Sequence, residues 1–447
     1  MASTYLQRTP SSSTNNKTCT LSVWVKRSSI NARQAIASQT VDGSNETFIW
    51  FDTNDELFLK ENGEATYEKR TNRKFRDTSA WYHIVMAIDT TQSTASNRVK
   101  LYINGVQETS FANSTDPALN DDTRWNSTTP FNIGRMNYGS NFFDGSMSHL
   151  HWIDGTAYDA TAFGEYDANG VWKIKTSPSV TYGTNGFFIL KDGNSVTDQS
   201  PNTNNFTVGG GTLTNTEDSP SNVFATFNPL AKSTTGTATY SNGNTTVATN
   251  DAATLGGMST LGMTSGKFYA EAKRVSQDSG SADDGFRISF GVTNVTNHST
   301  NVPPTTAGNY FMIGNGTVYN GITTLGTFGG NANISDNGVQ QIALDLDNNR
   351  ITWGFNGQWM DGSGNYNQSS PSNWVTITDP DSTEAGYFFL TSDGSTGRGY
   401  TASWNFGNGY FGTTAVSSAG TNASGIGIFE YDCPDGYTAL STKGYNL

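Results

Sequence analysis

Five cations fall within eight positions of the stretch YEKRTNRKFR: Lys69, Arg70, Arg73, Lys74 and Arg76. In a chain whose formal net charge is −13, so local a reversal of sign offers docking to an acidic protein neighbour or an anionic polysaccharide. The competing expectation is a solvated hairpin loop. A second stretch, NGQWMDGSGNYNQSSPSNW at 356–374, sets Trp359, Tyr366 and Trp374 among Gly, Ser and Asn. Aromatic faces presented from polar loops stack on sugars or anchor protein contacts; otherwise these three fold back onto their own sheet. Asp121 and Asp122 follow Asn120, and Asp52 and Asp55 share FDTND. Both groups supply the hard oxygen ligands that calcium takes, although acidic loops on an acidic protein are as readily plain solvated surface. His149 and His151 stand two apart, a strand spacing that puts both on one face, where His83 or Asp154 would complete a metal set; cross-strand polar pairing is the alternative.

Carboxylates spaced for glycoside hydrolysis are nearly present and then spoiled. Glu430, Asp432 and Asp435 in EYDCPD follow a Glu-x-Asp-x-x-Glu-like spacing, but Pro434 and Gly436 interrupt the strand that would aim them. The pair Glu165 and Asp167 lacks a third member. No Gly-x-Ser-x-Gly elbow occurs, and the glycines of GNGYFG are followed by TTAVSSAG where a dinucleotide site needs a helix. The expectation is a non-enzymatic protein with no cofactor beyond the calcium candidates.

The elements that position these residues are strands. HIVMAIDTTQSTASNRVKLYINGV and QIALDLDNNRITWGFNG, 83–106 and 341–357, repeat one plan: an apolar run, a polar turn, a return run and Asn-Gly. Ile84, Met86 and Ile88 share one face, with Val85 and Ala87 on the other, so that strand expects cover on both sides. In the second unit Ile342, Leu344, Leu346, Ile351, Trp353 and Phe355 alternate with polar or small residues. Each is a hairpin with Asn-Gly supplying a positive-φ turn. A hairpin is not stable alone, so two hairpins predict two sheets-on-sheets.

Hydrophobic residues make up 34% and aromatics 12%, with 48 Gly; too aromatic for disorder and too turn-rich for helices, this is an all-β composition. The length of 447 residues exceeds one ordinary core. A division is expected at 230/231, giving domains 1–230 and 231–447, with Phe224, Phe227 and Leu230 anchoring a segment able to pack across both. The acidic balance argues against nucleic acid, and no apolar stretch argues for membrane insertion. Two cysteines, Cys19 and Cys433, make no disulfide framework. The start MASTYLQRTPSSSTNNKT has no apolar signal core, so no export by a signal peptide is expected.

CTLSVWVKRSS, WYHIVMAIDT, VKLYINGV, FNIGR and FDGSMSHLHWIDGTAYDATAFGEYDANGVWKIK together resemble the laminin G-like, concanavalin A-like β-sandwich, in the version carried by virion proteins of tailed bacteriophages. GKFYAEAKRV, FRISFGVTNV, IALDLDNNRITWGFNG, SWNFGNGYF and FEYDCPDGYTAL resemble a SPRY-type module. The resemblance implies two antiparallel β-sandwich (jelly-roll) domains in tandem on a virion surface, as capsid decoration or tail-fibre component. It implies other virion proteins as partners, host surface polysaccharide as a further contact, multiple copies or a homo-oligomer, and manufacture in the host cytoplasm. A receptor-binding tail protein is the alternative, and a glycan-cleaving enzyme a remoter one.

Overall fold

The computed structural model describes residues 3–137, 141–191, 195–231, 237–250, 254–277, 289–294, 307–314, 316–327, 337–380, 386–393 and 399–447. Part of the FRISFG motif and the polar run 232–236 therefore lie outside the described residues. The protein is all-β; helical structure among the described residues is limited to short 3₁₀ turns, such as those at Ala95–Asn97, Ala160–Ala162 and Gly444–Asn446. The chain forms two compact units, 1–215 with 219–221 and 216–218 with 222–447.

The first unit pairs an eight-stranded with a six-stranded antiparallel sheet. The larger runs in the order Phe111–Thr115, Tyr67–Lys74, Glu56–Glu61, Thr47–Phe51, Gln34–Ser38, Phe131–Ile133, Tyr5–Arg8, Thr207–Gly210. The smaller runs Phe187–Ile189, Gly145–Asp154, Thr18–Arg27, Tyr82–Asp89, Val99–Ile103, Val106–Gln107. Between them lies one core containing Leu21, Val23, Ile84, Met86, Leu101, Ile49 and Phe51. Val85, on the opposite face of its strand, is also fully buried: it packs with Ile153, Phe163, Phe188 and Tyr182 in a separate cluster. Residues 155–183 build that third layer, which the two-faced apolar run at 84–88 requires.

The second unit follows the same plan. Its larger sheet orders Thr237–Ser241, Thr246–Asn250, Tyr400–Asn405, Lys267–Gln277, Val339–Asp345, Arg350–Phe355, Gln358–Met360 and Tyr366–Gln368; its smaller one has six strands. Register matches the alternation in the sequence: Ile342 faces Trp353 and Leu344 faces Ile351. Asn356 and Gly357 take φ of 47° and 85°, as Asn104 and Gly105 take 49° and 83°, the paired positive angles a two-residue hairpin turn needs. Here too the outer face is covered. Tyr269, Ala343 and Trp359 lie beneath Phe224, Phe429, Cys433, Tyr437 and Ala439.

The expected division at 230/231 shifts to 215–222. Phe224 bridges Ser441 and Phe227 bridges Ser259, and both rings are buried with second-unit residues. The aromatic anchor belongs to one unit because its neighbours there can bury it completely.

Polar side chains fasten the outer layers. In the first unit His83 Nε2 meets Ser22 Oγ at 2.9 Å while Trp172 Nε1 donates to His83 Nδ1 at 3.0 Å. Burial lowers the His83 pKa to about 3 and holds His151 well below its usual value as well. In the second unit the Glu271 carboxylate accepts from Tyr269 Oη (3.0 Å), Asn405 Nδ2 (3.2 Å), and the backbone N–H groups of Glu430 and Tyr431 (2.8 Å each). Burial outweighs these donors and raises Glu271 to about 7; Glu61 in the first unit is raised to about 7 for the same reason.

These shifts act in opposite directions. A histidine with a depressed folded pKa contributes stability above its unfolded value of ~6.5 that is lost on acidification, about 1.4 kcal/mol per pH unit. A glutamate with a raised folded pKa gains stability as pH falls from about 7 toward its unfolded value near 4.3. Two such histidines against Glu61 leave the first unit weaker at pH 5 than at pH 7, whereas Glu271 leaves the second stronger. Hydrogen exchange of the full chain, read separately for the two units at both pH values, checks this; parallel shifts contradict it. Trp353 is fully buried and donates to the Phe290 carbonyl at 3.0 Å. Trp353→Ala is expected to cost about 3–5 kcal/mol in urea unfolding, and a loss below about 1 kcal/mol would contradict its place in the core.

Candidate functional site

The outer face of the eight-stranded sheet carries a close arrangement of aromatic and charged groups. In Thr47–Phe51, Ile49 and Phe51 turn into the core, so alternation turns Phe48 and Trp50 outward. On the neighbouring strand Leu57 and Leu59 go in, and Phe58 comes out opposite Trp50. The Phe48 and Trp50 rings stack at 3.8 Å, with Phe58 set edge-on to Phe48 at 5.4 Å. Met136 and Ala35 complete this floor.

Cations cover it. The Arg33 guanidinium lies 5.1 Å from the Trp50 ring centre and that of Arg70 lies 4.1 Å from Phe58. Asp52 ties the two together, accepting from Arg33 Nε and Arg70 NH1 at 3.0 Å each. Burial alone would raise the Asp52 pKa, but the Thr53 N–H and the two guanidiniums hold it below the usual carboxylate range. Glu56 pairs with Lys74 at 2.5 Å and Arg70 at 3.7 Å. Farther along the same sheet Arg135 stacks on Tyr5 at 3.6 Å and Gln7 donates to Asn132. Within this built surface three buried polar atoms lack a hydrogen-bond partner among the described residues: Trp50 Nε1, Arg70 Nε and Glu56 Oε2. Buried polar atoms are normally satisfied, so the face holds unused hydrogen-bonding capacity over an aromatic floor.

The basic cluster is dispersed by the same alternation. Arg70 is on the outer face, whereas Lys69 turns to the other side and is buried, 2.7 Å from Asp116. Arg73 pairs with Glu108 at 2.9 Å and Arg76 with Asp55 at 3.0 Å. Each of the five cations thus meets a carboxylate, and the expected patch of free positive charge is replaced by a neutralised network. The reason lies in chain pairing: acidic residues of the strand Glu56–Glu61 and its flanking turn stand across from the basic strand.

The aromatic stretch folds back. Trp359 is buried against Tyr269 in the outer-layer cluster of the second unit. Tyr366 packs on Phe355, and Trp374 carries the Arg350 guanidinium at 4.2 Å. Asp122 pairs with Lys17 Nζ at 2.6 Å, which also donates to the Asn120 carbonyl at 2.6 Å, while Asp121 accepts from the Ala118 N–H. An ammonium thus sits where the calcium reading would place a cation, and no metal-binding group of His, Cys, Asp and Glu occurs among the described residues. A bulge with positive φ at His149 interrupts the strand between the paired histidines, and Phe188 stacks on His151 at 3.9 Å while His151 Nδ1 meets Tyr182 Oη. Glu430 accepts from the Ser417 N–H and Asp432 from the Thr421 N–H; both lie in irregular chain, not on a common strand face.

Arg33, Phe48, Trp50 and Phe58 were not among the expected site residues. FIWF and LFL were legible as strands, but their continuous apolar pattern hides which members turn outward. The only signal is that such runs have two apolar faces and hence need two partners.

Residues 2–160 match the family described as the concanavalin A-like lectin/glucanases superfamily. The matched residues lie within the first unit. No curated protein matches the chain. Among solved structures, the SPRY domain of human HERC1 is 18% identical over 40% of this chain and 96% of its own, with a TM-score of 0.30. Domains LG4-5 of the mouse laminin α1 chain are 8% identical over 97% and 92%, with a TM-score of 0.27. The native heptameric SAP-like pentraxin from Limulus polyphemus is 14% identical over 35% and 72%, with a TM-score of 0.25.

Replacing the buried Lys69 by Met leaves Asp116 without its cation and is expected to cost about 3 kcal/mol. Arg76→Ser, at a half-exposed cation whose partner Asp55 keeps Arg27, is expected to cost under about 1 kcal/mol. Urea unfolding of the two variants checks the order, and equal losses contradict the assigned faces.

Proposed function

We propose that this is a non-enzymatic glycan-binding protein and that the outer face of the eight-stranded sheet is its saccharide surface. The observation that carries the reading is the floor of Phe48, Trp50 and Phe58 beneath the Arg33–Asp52–Arg70–Glu56 network. Rigid planar donors and acceptors over aromatic rings suit the hydroxyl pairs and C–H faces of a sugar. The indole N–H of Trp50, which has no hydrogen-bond partner among the described residues, is a further donor for such a ligand. Carboxylates held by guanidinium and ammonium groups are poorly placed to shuttle protons, which favours binding over hydrolysis. The lectin/glucanase description of the matching family is consistent with a sugar ligand.

The finer reading places the protein on a bacteriophage particle, as decoration or fibre component displaying this face toward host polysaccharide; it rests on the order of motifs in the sequence. Many copies on one particle make weak single contacts sufficient.

A glycan array probed with the chain multimerised on streptavidin tests the proposal. At least one polysaccharide is expected to be retained. Trp50→Phe keeps an aromatic face but removes part of the indole together with a donor that has no partner among the described residues, so binding should fall at least about tenfold, one hydrogen bond's worth, while stability falls by no more than about 2 kcal/mol. No retention by any glycan, or retention indifferent to Trp50→Phe, contradicts it. Mass spectrometry of purified particles tests the location: absence of the chain there removes the virion reading and leaves the saccharide face standing.

A further inference from the structure

We infer that the second unit carries a separate carboxylate-binding site, built by Arg350, Trp374 and Tyr437 and fitted to the uronic acid residues of an acidic saccharide. Arg350 is held on two sides. Its Nε and NH2 both reach Asp345 Oδ2 at 2.8 Å, and its planar group lies 4.2 Å from the centre of the Trp374 ring. Asp345 is in turn fixed by Asn348, whose side-chain N–H groups reach its two oxygens at 3.0 and 2.8 Å. The Arg350 side chain is nevertheless 37% exposed, and its NH1 takes no part in the pairing with Asp345. One edge of the guanidinium is therefore committed to Asp345, while the partly exposed remainder keeps N–H donors within reach of a ligand. Those donors match an acceptor with two coplanar oxygens.

The second, independent observation is Tyr437. It is 6% exposed, packs in the same cluster as Trp374, and its hydroxyl has no hydrogen-bond partner among the described residues. The Trp374 ring that carries the Arg350 guanidinium packs against the cluster that buries this phenol, which sets both in one outer layer. A buried phenol with no partner costs stability unless something accepts its proton. Asp347 is exposed at the rim and the whole chain is acidic, so a doubly charged phosphate is disfavoured relative to a single carboxylate. A pyranose bearing that carboxylate also offers C–H groups to the indole edge.

The site is independent of the first unit's face. Isothermal titration of the full chain with tetragalacturonate, its fully methyl-esterified counterpart, and an acetylated dipeptide with a free carboxylate tests it. Tetragalacturonate is expected to bind at least tenfold more tightly than the ester or the peptide. Arg350→Lys keeps the charge and loses the fork, and should weaken binding at least tenfold. Tyr437→Phe should weaken it about tenfold while thermal stability is unchanged or higher, a combination that a merely structural hydroxyl does not give. Trp50→Phe should leave it untouched, separating this site from the first. Equal affinity for acid and ester, indifference to both second-unit variants, or no binding by any probe overturns the proposal. Tighter binding of the peptide overturns the saccharide assignment.

Discussion

Every backbone N–H and C=O laid against an apolar sheet face must find a partner there, because water no longer supplies one. That constraint shapes both units beyond their sandwich cores. The central strands are apolar on two faces, so irregular chain is drawn over the outer side, and its peptide groups need fixed acceptors and donors. Glu271 supplies two acceptor contacts to residues 430 and 431. Asp198 accepts from Phe188, Ser200 and Asn204 N–H groups, and Asn202 and Asn204 donate to carbonyls at 183, 184 and 186. The abundance of Asn, Asp, Ser and Thr that marks this chain is thus the chemistry of its outer layers as well as of its turns.

The same requirement explains why the charged groups are so thoroughly paired. Arg27 and Asp55 form an ion pair with neither side chain exposed, the guanidinium also reaching the Phe75 carbonyl and lying 4.5 Å from the Phe51 ring. Such a pair contributes little net stability compared with an apolar replacement, but losing one member is severe. Its value is positional: Asp55, at a φ of 66°, also receives the Asn31 N–H and Arg76, tying three chain segments at one end of the sheet. The strip from Arg33 to Lys74 continues this logic outward, where partial exposure converts fixed pairs into a surface.

The strands, hairpins and two-unit plan were legible because alternation and Asn-Gly turns are local signals. Ile342, Leu344, Ile351 and Trp353 could be assigned their face from sequence spacing alone. The side-chain sites were not legible in the same way. Lys69 and Arg70 are adjacent, and only the pairing of their strand with Glu56–Glu61 and Phe111–Thr115 decides that one is buried on Asp116 and the other spread on Phe58. A charge run in a strand is not a patch, since consecutive residues point to opposite faces. The basic stretch answers carboxylates of its own unit, which is reason enough for its presence.

Trp374 and Trp359 show the converse. Both stand in one polar loop, yet Trp359 pairs across from Gly354 in the sheet and vanishes into the outer layer, whereas Trp374 stays at the rim under Arg350. The difference is set by what each ring meets. Trp359 finds Tyr269 and Phe429, apolar surface that removes it from water; Trp374 finds a guanidinium already bound to Asp345, which cannot follow it into the core without desolvating charge. An aromatic held at the boundary by a fixed cation, against a cluster whose Tyr437 hydroxyl has no hydrogen-bond partner among the described residues, is a costly arrangement for a fold to keep on structural grounds alone. On the first unit the same combination recurs with Trp50 and Arg33. In both, the packing that secures the fold stops one hydrogen bond short among the described residues.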